Sequence, residues 1–195
     1  MASAHTLGQS EAALITSQAA ALLRYLRPRS NQRDYSLYET FRVLVAHDIP
    51  GEEAGGLADI ASETGLLHHQ IRDRASRYHL FARTAADKDG NPVLVGLFES
   101  RIAATIDRMI DGIDAARDDD ASVSLIVFPR FHVSALWVRS DTTSVIYVVS
   151  HPGAPRFRAH ASYDELTFFR MLNTVTPHPT SNDPPRGNPK GQQTP

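Results

Sequence analysis

The chain has no cysteine, and this one absence removes disulfides, thiolate metal ligands and cysteine nucleophiles together. Lysine is nearly absent as well. Lys88 and Lys190 are the only two, so arginine supplies almost all of the 20 cationic residues. Neither charge dominates: 20 cations against 22 acids leave a formal net charge of −2, so contact with nucleic acid would need positive charge concentrated locally. No apolar run approaches the roughly 20 residues that span a bilayer. The opening "MASAHTLGQSEAALITSQAA" lacks the basic region and the continuous apolar stretch of a signal peptide. The expectation is a cytoplasmic protein with no membrane partner.

Catalytic patterns are lacking too. No Gly-x-Ser-x-Gly elbow, phosphate-cradling glycine loop or His-x-x-x-His pair occurs among the nine histidines. His132 and Ser134 fall on one face of an expected strand, with Asp141 following. Side chains two residues apart there stand roughly 7 Å from each other, too far for a nucleophile–base hydrogen bond. "DKDGNP" (87–92) opens like a calcium loop, but its glycine comes early and the closing glutamate is missing, so it reads as a turn. No enzyme, metal or cofactor is expected.

What the chain does contain is an ordinary globular balance, 42% hydrophobic and 22% charged over 195 residues. Ser10 caps an expected first helix, "EAALITSQAAALLRYL", which carries an apolar stripe at Ala12, Ile15, Ala19, Leu22 and Leu26. Leu37, Phe41 and Leu44 predict a second helix from Tyr35 to His47. A glycine-rich break follows, and then "LADIASETGLLHHQIRD" (57–73). Asp89-Gly90 predicts a hairpin turn. Phe98, Ile102, Ile106, Met109, Ile113 and Ala116 mark an amphipathic helix. Beyond Ala121, three short β-branched runs predict an antiparallel meander, closed by the helix "YDELTFFRMLNTV". Phe131, Trp137 and Tyr147 in the meander are expected in the core, with a ligand pocket or a dimer face as the alternative. The tail from Thr176 holds half of the 12 prolines and is expected to be disordered.

The stretch 57–73 carries the functional expectation. Ala61 is small where two helices would cross, Gly65 tolerates the left-handed conformation of a tight turn, and Ile71 would point back at the first helix. Leu57, Ile60, Ala61, Thr64, Gly65, Leu66 and Ile71 fit the pattern L-x-x-I-A-x-x-T-G-L-x-x-x-x-V/I. In this the region Tyr35 to Leu97 resembles bacterial winged helix-turn-helix regulators, the multiple-antibiotic-resistance and isocitrate-lyase-regulator families among them. From Leu66 to Thr84, four arginines face one acid, Asp73.

The resemblance implies an α+β fold. Residues 1–32 would form a helix and connector, 33–97 a winged helix-turn-helix, 98–175 a helix, three-stranded meander and closing helix, and 176–195 a tail. It implies a homodimeric transcriptional regulator binding double-stranded DNA, with a small-molecule effector allowed. A second helix would present His68, His69, Gln70, Arg72, Ser76 and Arg77, with Arg83 and Lys88 near the wing. The alternative is a protein–protein adaptor using the same surface without DNA. Arg72, Arg77 and Arg83 on one exposed face would favour DNA; pairing with Asp73 and Glu99 would not.

Overall fold

The computed structural model describes residues 7–26, 35–50, 55–73, 79–116, 121–151, 157–158 and 161–175. Helix α1 (Gln9–Leu26) leads into an eight-stranded sheet: β1 (Tyr35–Val45), then the one-turn helix α2 (Leu57–Ile60), β2 (Ser62–Asp73), β3 (His79–Ala86) and β4 (Pro92–Glu99). Helix α3 (Arg101–Ala116) returns the chain to the sheet centre. There β5 (Ser122–Phe128), β6 (Val133–Arg139), β7 (Ser144–Ser150) and β8 (Ser162–Asp164) follow, closed by α4 (Glu165–Leu172).

The strand order is β4-β3-β2-β1-β5-β6-β7-β8. Each half of the sheet is therefore an antiparallel meander of sequential strands. The halves meet only where β1 and β5 run parallel, at Arg42↔Ser124, Val43↔Leu125, Leu44↔Ile126 and Val45↔Val127. The sheet runs without a break across the expected boundary at residue 97.

This architecture corrects the winged helix-turn-helix expectation. Residues 35–45 and 62–73 are paired strands and not helices, and only Leu57–Ile60 remains helical in the stretch that carried the resemblance. The misreading has a physical source in β-bulges. Tyr38 and Glu39 fall between the pairs Leu37↔Ile71 and Thr40↔His69, which adds one residue to β1. That extra residue puts Leu37 and Leu44 on one face and Phe41 on the other, under α3, so the three- and four-residue steps that imitate a helix are drawn from both faces of one strand. On β2, residues 64–66 loop out opposite Val43. Gly65 there has φ 71°, the conformation also needed by a helix-turn-helix turn, and a Cβ added to it would meet no other side chain or backbone atom within 4 Å. Thr64 Oγ1 donates to Val43 O at 2.7 Å and accepts from Leu66 N at 3.1 Å, which pins the bulge.

The strands of the expected meander exist, but as one half of the larger sheet. α1, α3, α4 and the hairpin at Gly90 (φ 83°) also form where periodicity or turn chemistry places them. Asp87 Oδ1 closes that turn by accepting from Asp89 N and Asn91 N at 2.8 and 2.9 Å. Asp164 caps α4, its Oδ1 accepting from Thr167 N at 2.8 Å.

The two faces of the sheet are covered differently. On one, α3 buries Ile106, Met109, Ile110 and Ile113 against Phe41, Val43, Val123, Leu125, Leu136 and Val138. On the other, α4 lays Phe168 and Leu172 over Phe128, Ile146 and Val148, and α1 brings Ala19 to Ile71, Leu80 and Ala82. α1 and α4 thus share a face over different halves, and the sheet between them is left partly uncovered. Among the described residues no helix is long and apolar enough to cross a membrane.

Candidate ligand-binding cleft

A cleft of about 480 Å³ opens over the parallel seam, between α1 and the α2/α4 pair. Arg42 and Leu44 of β1, Glu63 of β2, Ser122 and Ser124 of β5, and Trp137 and Arg139 of β6 line it. Alternation along the strands puts these side chains on one face: Trp137 points the same way as Val133 and Ala135, while Leu136 and Val138 point to α3.

Trp137 is fixed from behind. Its Nε1 donates to Ser144 Oγ at 2.8 Å, and that hydroxyl donates to Glu165 Oε1. The second carboxylate oxygen of Glu165 accepts from Leu57 N at 2.7 Å. Gly56 allows this approach, because a Cβ there would stand 2.5 Å from Glu165 Oε2. The chain Trp137–Ser144–Glu165–Leu57 therefore locks the indole, the start of α2 and the start of α4 to one another.

The cleft charges are unevenly paired. Arg42 Nη1 lies 2.8 Å from Glu63 Oε1, with both side chains more than half exposed. Arg139 is exposed, its guanidinium 4.7 Å from the Trp137 ring centre, and it has no carboxylate partner among the described residues. Ser122 Oγ donates to Arg139 O at 3.2 Å. The Ser124 hydroxyl, half-buried between them, has no hydrogen-bond partner among the described residues. Two guanidinium groups, one carboxylate and two serines around an indole leave one net positive charge and free donors. The arrangement suits an anionic group.

The residues expected to read DNA are elsewhere. His68, His69 and Gln70 are fully buried in β2. His69 is held between Thr40 and Thr84, its ring nitrogens 2.9 and 2.8 Å from the two hydroxyl oxygens. His68 points to the α3 face within a row of rings, 6.2 Å from Phe41 and stacked 4.4 Å from Phe81, which stacks in turn on Phe98. Gln70 Nε2 donates to Ala103 O at 2.9 Å and to Asp107 Oδ1 at 3.1 Å, so its Oε1 accepts from His68 Nε2 at 3.0 Å. That fixes the tautomer and leaves His68 Nδ1 as a bare, buried acceptor. Burial pushes the His68 pKa down to about 4, and the neighbouring Arg83 and His69 add to the effect against the hydrogen bond that His68 donates to Gln70.

Arg72 is engaged. It pairs with Asp107 at 3.5 Å and Asp111 at 3.3 Å, and its guanidinium sits 3.3 Å over the Tyr38 ring. Burial works against its charge, but Tyr38, Asp107 and Asp111 outweigh it and raise its pKa. Its acids come from α3. Arg83 is half-buried on the α3 face, 5.5 Å from the Phe81 ring, and burial lowers its pKa. Lys88 is exposed at the Asp87–Gly90 turn. Ser76 and Arg77 lie outside the described residues, as does the tail from Thr176. The structure thus brings His68, Gln70 and Arg72 together beneath α3, and scatters the others.

Arg42, Ser124 and Arg139 were not singled out from the sequence. One signal was available: each strand places a polar side chain among apolar neighbours of the same face. The pocket considered under Trp137 and Tyr147 is divided by the sheet, because Trp137 lines the cleft while Tyr147 packs against the α3 cluster on the opposite face. Comparison of the chain with family models, curated proteins and solved structures gives no match.

Proposed function

We propose that this protein is a small-molecule binding module whose cleft over Trp137 takes an anionic ligand. The observation that carries the reading is Arg139: a guanidinium at the cleft, beside the indole, with no carboxylate partner among the described residues. A cleft of about 480 Å³ is within the size range of small-molecule sites, and its few convergent polar groups are fixed by strands and not by loops. Arg42 would supply a second contact by exchanging Glu63 for the ligand. An exposed pair of that kind is worth at most about 1 kcal/mol, so the exchange costs little.

Trp137 is the only tryptophan, so its fluorescence reports directly on the cleft. Titration with benzoate should change the emission saturably, and the neutral analogue benzamide should not. Arg139→Ala should weaken benzoate binding about tenfold, the scale of one charge-assisted contact. Equal responses to benzoate and benzamide would sink the proposal.

A second reading, contact with another protein or a second copy of the chain, is favoured by the edge strand β4. There Val93, Val95 and Phe98 are 46, 59 and 43% exposed. A Val95→Lys variant that leaves the molecular mass in solution unchanged from a monomeric parent would remove that reading.

A further inference from the structure

A second cleft, about 280 Å³, lies beside the first and shares two lining residues with it, Arg42 and Glu63. Its other walls have a different character. Leu67 of β2, Ala86 of β3 and Pro92 of β4 give it apolar side chains, with Thr84 among them, and Glu11 of α1 stands at its border. Both clefts open on the face away from α3, since Arg42 and Glu63 project there. The Arg42–Glu63 pair is therefore the ridge between a polar, net-positive chamber and a more apolar one.

We infer that the ligand is an anionic amphiphile, a carboxylate carrying an unbranched apolar arm, with its head at Arg139 and Arg42 and its arm crossing the ridge into the second cleft. This rests on the anion-binding reading above and adds the class of ligand. Three features of the site support it. The two chambers are neighbours across the Arg42–Glu63 pair, and the second has the more apolar walls. The ridge between them is an exposed ion pair whose carboxylate the incoming head replaces on Arg42, so no buried charge has to be uncovered. The distance also fits: from β5, over which a head shared by Arg42 and Arg139 lies, to β2 at the near wall of the second chamber is two strand spacings, roughly 10 Å at about 4.8 Å each, the reach of a medium-length acyl chain. The loop-out of residues 64–66 helps make the second chamber, because it lifts Gly65 and Leu66 out of the regular pleat of β2 at its wall.

The test is a chain-length series of butyrate, hexanoate, octanoate and decanoate, titrated against the full chain and read by Trp137 fluorescence, with octanol and octylamine alongside. Each methylene that enters the apolar chamber gains up to roughly fourfold in affinity. Octanoate should therefore bind at least about tenfold tighter than butyrate, and the gain should level off once the chamber is full. Ala86→Phe, at an exposed position on that wall, should abolish the octanoate advantage and leave butyrate binding unchanged. Should that variant not fold, the chain-length series on the parent protein decides alone. Butyrate and octanoate binding equally would overturn the amphiphile inference and leave anion binding standing. Octanol or octylamine binding as tightly as octanoate would overturn the role of the anionic head. If none of the carboxylates or benzoate binds, both readings fall.

Discussion

The two faces of the sheet solve the problem of polar groups in opposite ways. Under α3 most polar groups are buried and paired: Gln70 spends both amide hydrogens on Ala103 and Asp107 and its oxygen on His68, and Arg72 is divided between Asp107, Asp111 and the Tyr38 ring, while His68 Nδ1 and Arg83 Nε are buried exceptions. Such a network orients a helix on a sheet, and its polar atoms have little left to offer a ligand. On the opposite face the cleft opens over the β1–β5 seam, where the Ser124 hydroxyl has no hydrogen-bond partner and Arg139, beside the Trp137 ring, has no carboxylate partner among the described residues. The unspent groups of the second face are the ones the proposed ligand would meet. The two adjacent histidines do not mark either face, because His68 lies under α3 and His69 on the opposite side between Thr40 and Thr84.

That contrast can be tested by substitution. The largest effect should come from the α3 face: Ile106→Ala, at a fully buried position, should cost about 2–5 kcal/mol in urea unfolding. Next is acidity. The folded state holds the pKa of His68 at about 4 against 6.5 for the free side chain, so between these values the unfolded chain binds a proton that the folded one refuses. Stability is therefore full above about pH 6.5 and falls as the pH drops toward 4, by about 3 kcal/mol from this group. Arg83, His69 and Gln70 surround it. In His68→Phe, which keeps a ring in the row, this share of the pH dependence should vanish; an unchanged slope would rule the assignment out.

A smaller change is expected at the bulge. Gly65→Ala should lose about 1 kcal/mol, because a Cβ there meets backbone strain at φ 71° without any neighbouring atom in the way. Gly65→Asn should lose less, since asparagine tolerates the left-handed region. Smallest of all, Arg42→Ala should leave thermal stability within about 0.5 kcal/mol of the parent, because its pair with Glu63 is exposed. A large loss there would mean that the cleft is structural after all.

Some of this was legible in the sequence. The spacing from Ile102 to Ala116 fixes α3 because an uninterrupted helix keeps its period, whereas Phe98, which fits the same spacing, belongs to the end of β4. The runs at 122–128, 133–139 and 144–150 read as strands because they are dense in β-branched residues. The N-terminal half was misread where bulges intervene. Tyr38-Glu39 and Thr64-Gly65-Leu66 shift the apolar residues off a period of two, and a left-handed glycine serves a bulge as readily as a helix turn. Arg72 and the two histidines drew attention by type. The roles of Arg72 and His68 depend on α3, more than thirty residues away, which periodicity cannot dock, and that of His69 on the strand register that brings Thr40 and Thr84 to it. The cleft was invisible for the same reason: its walls come from both halves of the chain.

The parallel seam has a further consequence, for the order in which the molecule assembles. Within each half, neighbouring strands are close in sequence and zip up locally, but β1 must wait for β5 to be made before the two meanders can join. Closing that seam is the slow, long-range event, and it completes the cleft that spans it. A bound ligand would touch both sides of this joint, acting as a clasp that slows unfolding more than it speeds folding.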